Sequence, residues 1–121
     1  MPVRSLSSSV LTWPDRATVE RAVRAWASAE RSRRPELRRL GFFGSYGRGD
    51  WGPGSDVDLV VVVAEAREPF DRRRLGWDCT SLPVPAELLV YTEPEWRAFQ
   101  ASGSLFAKRL AQETVWVLEE T

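Results

Sequence analysis

The 121-residue chain has no histidine, a single cysteine and no stretch in which about 18 uncharged apolar residues follow one another. Each absence removes a class of chemistry. Without histidine there is no imidazole acid or base, no Ser-His-Asp arrangement and no His-containing zinc site. With Cys79 alone, no intrachain disulfide can form, and the thiol is expected to pack in a reducing, cytoplasmic setting. The stretch from Met1 to Leu11 lacks a sustained apolar segment, so neither a secretory leader nor a membrane span is expected. Net charge is missing as well: 17 Lys and Arg face 17 Asp and Glu, so the overall balance does not announce a general polyanion binder. Any chemistry falls to carboxylates.

What is present fits one domain, residues 1–121. With 43% hydrophobic residues the chain can bury one core, with little left for a second, ligand-holding domain. A large ligand must be met by a small surface or with a partner's help. The charge is unevenly placed: Arg16, Arg21, Arg24, Arg31, Arg33, Arg34, Arg38 and Arg39 outnumber Asp15, Glu20, Glu30 and Glu36 in the first half. The plain reading is a solvated helix face with internal ion pairs; the sharper one is contact with RNA or an acidic protein.

The apolar pattern predicts alternating helices and strands. Thr12, Pro14 and Asp15 mark a helix start, and Val19, Val23 and Trp26 recur at helical spacing as far as the arginines before Pro35, giving a helix over about 13–34. Leu37 to Phe43 reads as a strand ending in Gly44-Ser45, with a short helix over Tyr46 to Gly49. Asp56 to Val63 is apolar on both faces beyond Asp58, as a central strand covered on both sides would be. From Ala64 to Pro85 a loop is expected, with one short helix near Phe70 to Leu75. Glu87 to Tyr91 is a third strand, Thr92 and Glu95 form a capping signal for the next helix, Leu105 to Ala111 is helical, and Val115 to Leu118 is an edge strand. There is no repeat and no low-complexity linker.

The chemistry concentrates in two neighbouring stretches. Asp56 and Asp58 are two apart on a strand, so their carboxylates project to the same side. Two crowded carboxylates repel unless a cation lies between them, and an oxygen-only set suits Mg²⁺ or Mn²⁺. Just upstream, Gly44 permits close backbone approach and Ser45 offers a hydroxyl where a helix begins, a place that favours phosphate. Together these supply a cation and a backbone cradle for a triphosphate. Asp-x-Asp alone is commonly a solvated turn and Gly-Ser alone means little; the combination is what carries weight. Tyr46 reads as packing beside the turn, and Trp51, in a Gly/Pro loop, as the tryptophan placed to stack on a base.

The string Gly-Ser-Tyr-Gly-Arg-Gly, then Ser-Asp-Val-Asp-Leu with its valine run, then Ala86 to Trp96, resembles the DNA polymerase β-type nucleotidyltransferase superfamily and, more narrowly, its minimal nucleotidyltransferases. The resemblance covers about Leu37 to Leu118 and implies an α/β (α+β) fold with a small mixed sheet flanked by helices. It implies that Asp56 and Asp58 bind metal and that Glu87 is the third acidic residue, completing the metal site or accepting a proton. It further implies that Gly44 and Ser45 form the phosphate turn and that Arg48 is the basic residue of the following helix. Glu87 departs from the aspartate of many relatives, leaving Asp78 and Glu65 as fallback carboxylates.

The reaction implied is Mg²⁺-dependent transfer of a nucleoside monophosphate from an NTP such as ATP, with pyrophosphate leaving. Minimal members often serve as antitoxins paired with a helical HEPN-type toxin. Two alternatives stand beside this: a binding module that neutralises its partner by contact alone, and a small-molecule transferase of the aminoglycoside type acting as a homo-oligomer.

Overall fold

A computed structural model describes residues 13–119. Their order is α1 (Arg16–Arg33), β1 (Leu37–Phe43), α2 (Gly44–Arg48), β2 (Val57–Val63), α3 (Phe70–Arg73) running into a 3-10 turn (Arg74–Gly76), β3 (Ala86–Thr92), α4 (Glu93–Ala101), α5 (Leu105–Glu113) and β4 (Val115–Glu119). The four strands form one mixed sheet in the order β3-β2-β1-β4. β1 runs antiparallel to β2 and β4, and β2 runs parallel to β3.

Side-chain alternation along β2 sorts the core into two layers. Val57, Leu59, Val61 and Val63 point to the face covered by α1, among Val19, Val23, Trp26 and Ala27. Val60 and Val62 point to the other face, against Trp96 of α4 and Leu110 of α5. The expectation of a strand covered on both sides is met, and a run of valines is what such a strand requires. Thr92 and Glu95 make the expected capping box at α4, worth about 1 kcal/mol. The start of α1 differs from the expectation: Thr12 lies outside the described residues, and Asp15 is the cap, its carboxylate accepting from the Thr18 amide at 2.9 Å. No helix among the described residues is long and apolar enough to cross a membrane.

The basic first half is engaged internally. Arg24 pairs with Glu20 at 2.8 Å and Arg39 with Glu119 at 2.9 Å. Arg33 and Arg34 both bind the buried Glu30, and Arg34 also lies 3.8 Å over the Trp77 ring. Trp26 donates to the Asp78 carbonyl at 2.9 Å, so α1 is tied to the loop that follows the 3-10 turn.

A second buried charge anchors the segment between β2 and β3. Arg73, 9% exposed, donates to the carbonyls of Glu68 at 2.8 Å and Val90 at 3.1 Å and to both oxygens of Glu95 at 2.5 and 3.0 Å. This is a forked, charge-assisted pair with two further donors on backbone carbonyls. The Arg73 guanidinium holds the Glu95 carboxyl down, at about 2, and the Thr92 amide adds to the effect. The folded value lies below the ordinary 4.5, so the pair stabilises the fold above that pH and its contribution is lost as pH falls toward 2. Glu95→Gln is therefore expected to lower unfolding free energy at pH 7 by about 1–2 kcal/mol, a figure reduced for the partial exposure of Glu95. In urea titrations the gap to the parent should close as pH falls toward the folded value; a gap independent of pH would show that the ion pair is not its source.

Candidate functional site

Two strand pairings meet at Asp58. In the antiparallel ladder Phe43 stands opposite Asp58, and in the parallel ladder Asp58 stands beside Glu87. Paired residues share a sheet face, so Asp58 and Glu87 emerge side by side, directly below the point where β1 turns into α2. Gly44 makes that turn with φ +71°, a left-handed conformation that favours glycine. A Cβ there would also collide with Asp58 Oδ2. The first residue of the Gly-Ser bend is thus glycine for two reasons, and the second is the carboxylate itself.

The electrostatics around Asp58 are lopsided. Burial pushes its carboxyl above the usual range, the negative charges of Glu87, Asp56 and Glu113 push it further, and Arg48 alone opposes them. Asp56 precedes the first residue of β2 and is exposed, as is Glu87. Among the described residues no three acidic or cysteine side chains stand close enough together to hold a metal ion as they are placed. The fold sets Asp58 beside Glu87 and leaves Asp56 at the strand's mouth. The donor set is all oxygen, which suits a hard cation, and the uncompensated negative charge on Asp58 is what such a cation would neutralise. The chemistry of these three carboxylates suits Mg²⁺ or Mn²⁺, while their placement does not bring all three together.

The bend is rigidly backed. Ser45 is half-buried, and Tyr46 is buried, donating to the Pro14 carbonyl at 2.8 Å. Tyr46 and Trp51 stack with ring centroids 5.8 Å apart and planes 7° from parallel. The tryptophan read as a base platform thus gives one face to the core. Arg48 is exposed and already engaged, with Asp50 at 3.0 Å and Glu113 at 3.3 Å.

Glu113 is the site neighbour that sequence reasoning missed. Its Oε2 accepts from the Gly44 amide at 3.3 Å. No motif marks it; it arrives because β4 pairs with β1, Phe42 opposite Val115, which lays the end of α5 beside the bend. Of the fallback carboxylates, Asp78 is bound to Thr80 within its own loop, and Glu65 lies beyond the far end of β2. A cleft of about 700 Å³ opens beside the acidic pair, lined by Asp58, Glu87, Phe43, Leu89, Phe106 and Arg74 among others. An opening of about 730 Å³ near Arg34, Glu36, Glu65 and Arg72 lies away from the acidic pair.

Because the folded state raises the Asp58 carboxyl, its ionisation costs stability at pH values above the ordinary carboxylate range. Asp58→Asn is expected to melt about 2–5 °C above the parent in EDTA at pH 7. Added Mg²⁺ should raise the melting temperature of the parent and leave that of the variant unchanged; a variant that melts well below the parent in EDTA would contradict the strain at this position.

Residues 26–115 match the model of the nucleotidyltransferase domain. Among solved structures, a candidate nucleotidyltransferase of Sulfolobus solfataricus superposes with a TM-score of 0.58 at 18% identity, over 84% of this chain and 80% of that one. A toxin–antitoxin determined with AMP-PNP gives 0.53 at 17%, over 78% and 71%, and a mutant of the MntA–HpeT toxin–antitoxin gives 0.50 at 14%, over 78% and 70%. No curated protein matches. At such identities the structures speak for the fold, and the domain match, which runs from within α1 to the first residue of β4, speaks for descent: the chain belongs to the nucleotidyltransferase domain family.

Proposed function

We propose that this protein transfers a nucleoside monophosphate, AMP from ATP, onto a macromolecular acceptor with Mg²⁺, and that it works in the cytoplasm as the antitoxin of a pair with a helical HEPN-type toxin. The observation that carries the reading is the packing of Asp58 against Gly44 with Glu87 in register beside it. This arrangement supports a reading in which Asp58 holds a cation close to phosphates bound at the bend.

A divalent cation held by Asp58 with Asp56 and Glu87 would supply positive charge to the phosphate oxygens and the leaving pyrophosphate. The chain's own residues do the rest. Gly44 lets the bend pass close over Asp58, and the Ser45 hydroxyl and the amides of the bend would donate to phosphate oxygens, the Gly44 amide on release from Glu113. Arg48 adds a guanidinium at the end of the same short helix. Glu87, exposed beside Asp58, orients the attacking hydroxyl and accepts its proton.

The pairing with a protein partner is supported by the toxin–antitoxin structures that share the fold, one of them determined with AMP-PNP. This reading does not call on RNA contact through the arginine-rich first half, where Arg24, Arg33, Arg34 and Arg39 have acidic or aromatic partners within the chain. A second reading, neutralisation by contact alone, is favoured by one observation: Arg48 and the Gly44 amide are already occupied by Glu113.

Incubation with Mg²⁺ and labelled ATP, with and without a helical partner, separates the two. Label on the partner supports transfer, and a tight complex without label supports the contact-only module. Asp58→Asn should abolish transfer while the fold persists. Glu87→Gln should lower the rate by about 10²–10⁴-fold while changing ATP affinity far less, and an unchanged rate would move the proton-accepting role elsewhere.

A further inference from the structure

The sheet ends at β3, and the outer edge of that strand is covered at one end and open at the other. The Val57 amide donates to the Pro85 carbonyl at 2.9 Å, and Val57 pairs with Ala86 in the parallel register. In a parallel ladder this turns the backbone groups of Glu87 and Leu89 toward β2 and those of Ala86, Leu88 and Val90 outward. Arg73 takes the outward carbonyl of Val90 at 3.1 Å. The outward amides and carbonyls of Ala86 and Leu88 have no hydrogen-bond partner among the described residues. Sheet edges are ordinarily blunted, and here the covering stops short of Glu87.

The open piece lies inside the cleft of the acidic pair. Ala86, Glu87, Leu88 and Leu89 all line the opening of about 700 Å³ that also contains Asp58. Successive strand residues alternate between faces, so the cleft straddles the edge. Trp77 and Cys79 wall the face of Ala86 and Leu88, while Phe43 and Phe106 wall the face of Glu87 and Leu89. A slot with backbone donors and acceptors along its floor and apolar groups on both walls matches an extended polypeptide, which carries both kinds of group along its length.

Register and charge narrow the occupant. A strand added to β3 would continue the row of Phe43, Asp58 and Glu87 by one residue. The side chain of that residue would emerge on the same face, its Cβ about 4.5–5.5 Å from that of Glu87. A hydroxyl there meets the carboxylate proposed to accept its proton. Arg74, next in sequence to the anchored Arg73, is the one basic residue lining the cleft; it is exposed, and no acidic side chain among the described residues pairs with it. It suits a peptide that carries a carboxylate near the paired segment. A second copy of this chain fits poorly: joining the two open pieces about a two-fold axis would set Glu87 directly opposite its equivalent, a destabilising like-charge pair.

We infer that the edge of β3 over residues 86–88 is a docking edge for an extended, acidic peptide segment of the acceptor, which joins the sheet as a fifth strand and presents its hydroxyl beside Glu87. The inference rests on the proposed transfer reading for the role of Glu87 and adds to it the way the acceptor is held.

The test is amide hydrogen exchange of the protein with and without a pool of capped heptapeptides, Glu-Gln-Val-X-Val-Gln-Glu with serine, threonine or tyrosine at X. EDTA is present and nucleotide absent, so that docking is read apart from transfer. At millimolar peptide, exchange of the Ala86 and Leu88 amides is expected to slow about tenfold or more, while Glu87 and Leu89, already bonded to β2, change little. The same pool N-methylated at its three central residues should give no protection. Ala86→Pro removes one outward donor without touching the ladder to β2; it should keep the parent's melt and bind the pool about fivefold more weakly. Arg74→Glu should weaken binding about tenfold. Unchanged exchange at Ala86 and Leu88, or equal protection by the N-methylated pool, overturns the inference. Protection present without peptide and rising with protein concentration assigns the edge to a second copy and also overturns it. When Mg²⁺ and labelled ATP are then added, label on the peptides without protection leaves the transfer reading standing alone. Protection without label keeps the docking edge and counts against transfer.

Discussion

The register of three strands around one aspartate is the constraint on which the site depends. Phe43, Asp58 and Glu87 occupy one row across β1, β2 and β3. A slip of one residue in either ladder would send Asp58 or Glu87 to the opposite face. That slip is prevented by the valines of β2, whose two faces lie in different apolar layers. The core therefore sets the chemistry: burying Val60 and Val62 on one side and Val57, Leu59 and Val61 on the other leaves Asp58 one place to go. The cost is local. Asp58 is half-buried among like charges, which disfavour its ionised form.

Around this row the protein uses buried ion pairs to fasten segments that have little apolar surface. Arg73 holds the long connection between β2 and β3 to the start of α4 through Glu95, and Glu30 gathers Arg33 and Arg34 where α1 ends. Both join pieces whose sequence is too polar to be held by packing. Both also bind arginine charge internally, with Arg73 and Arg34 largely covered and Arg33 still exposed, so a stretch that reads as a positive surface contributes part of its charge to internal bonds.

Where period and punctuation are strong, the sequence reading and the structure agree closely. The Val57–Val63 strand, the Gly44 bend and the Thr92–Glu95 cap each announce themselves within a few residues, because local chemistry decides them. That an acidic strand follows the bend after a short loop was legible for the same reason, whereas the contact of Asp58 with Gly44 is set by the strand register. What was not legible came from long-range pairing. Glu113 reaches the bend only because β4 docks on β1, and nothing in the residues around it signals that approach. Arg73, in the middle of Arg72-Arg73-Arg74, looks solvated until Glu95 and the Val90 carbonyl are brought to it. Trp51 likewise looked available to a ligand until Tyr46 was found stacked on it.

That stack has a consequence for the loop between the bend and the acidic strand. Trp51 pins its near end on Tyr46, and at its far end the Ser55 amide donates to the Gly52 carbonyl while the Ser55 hydroxyl receives the Gly52 amide. Between these two fastenings only Pro53 and Gly54 face outward. The tip is thus mechanically isolated from the row of carboxylates beneath it. Residues inserted there would lengthen the outer turn alone, while the two fastenings kept the spacing between glycine and aspartate as it is.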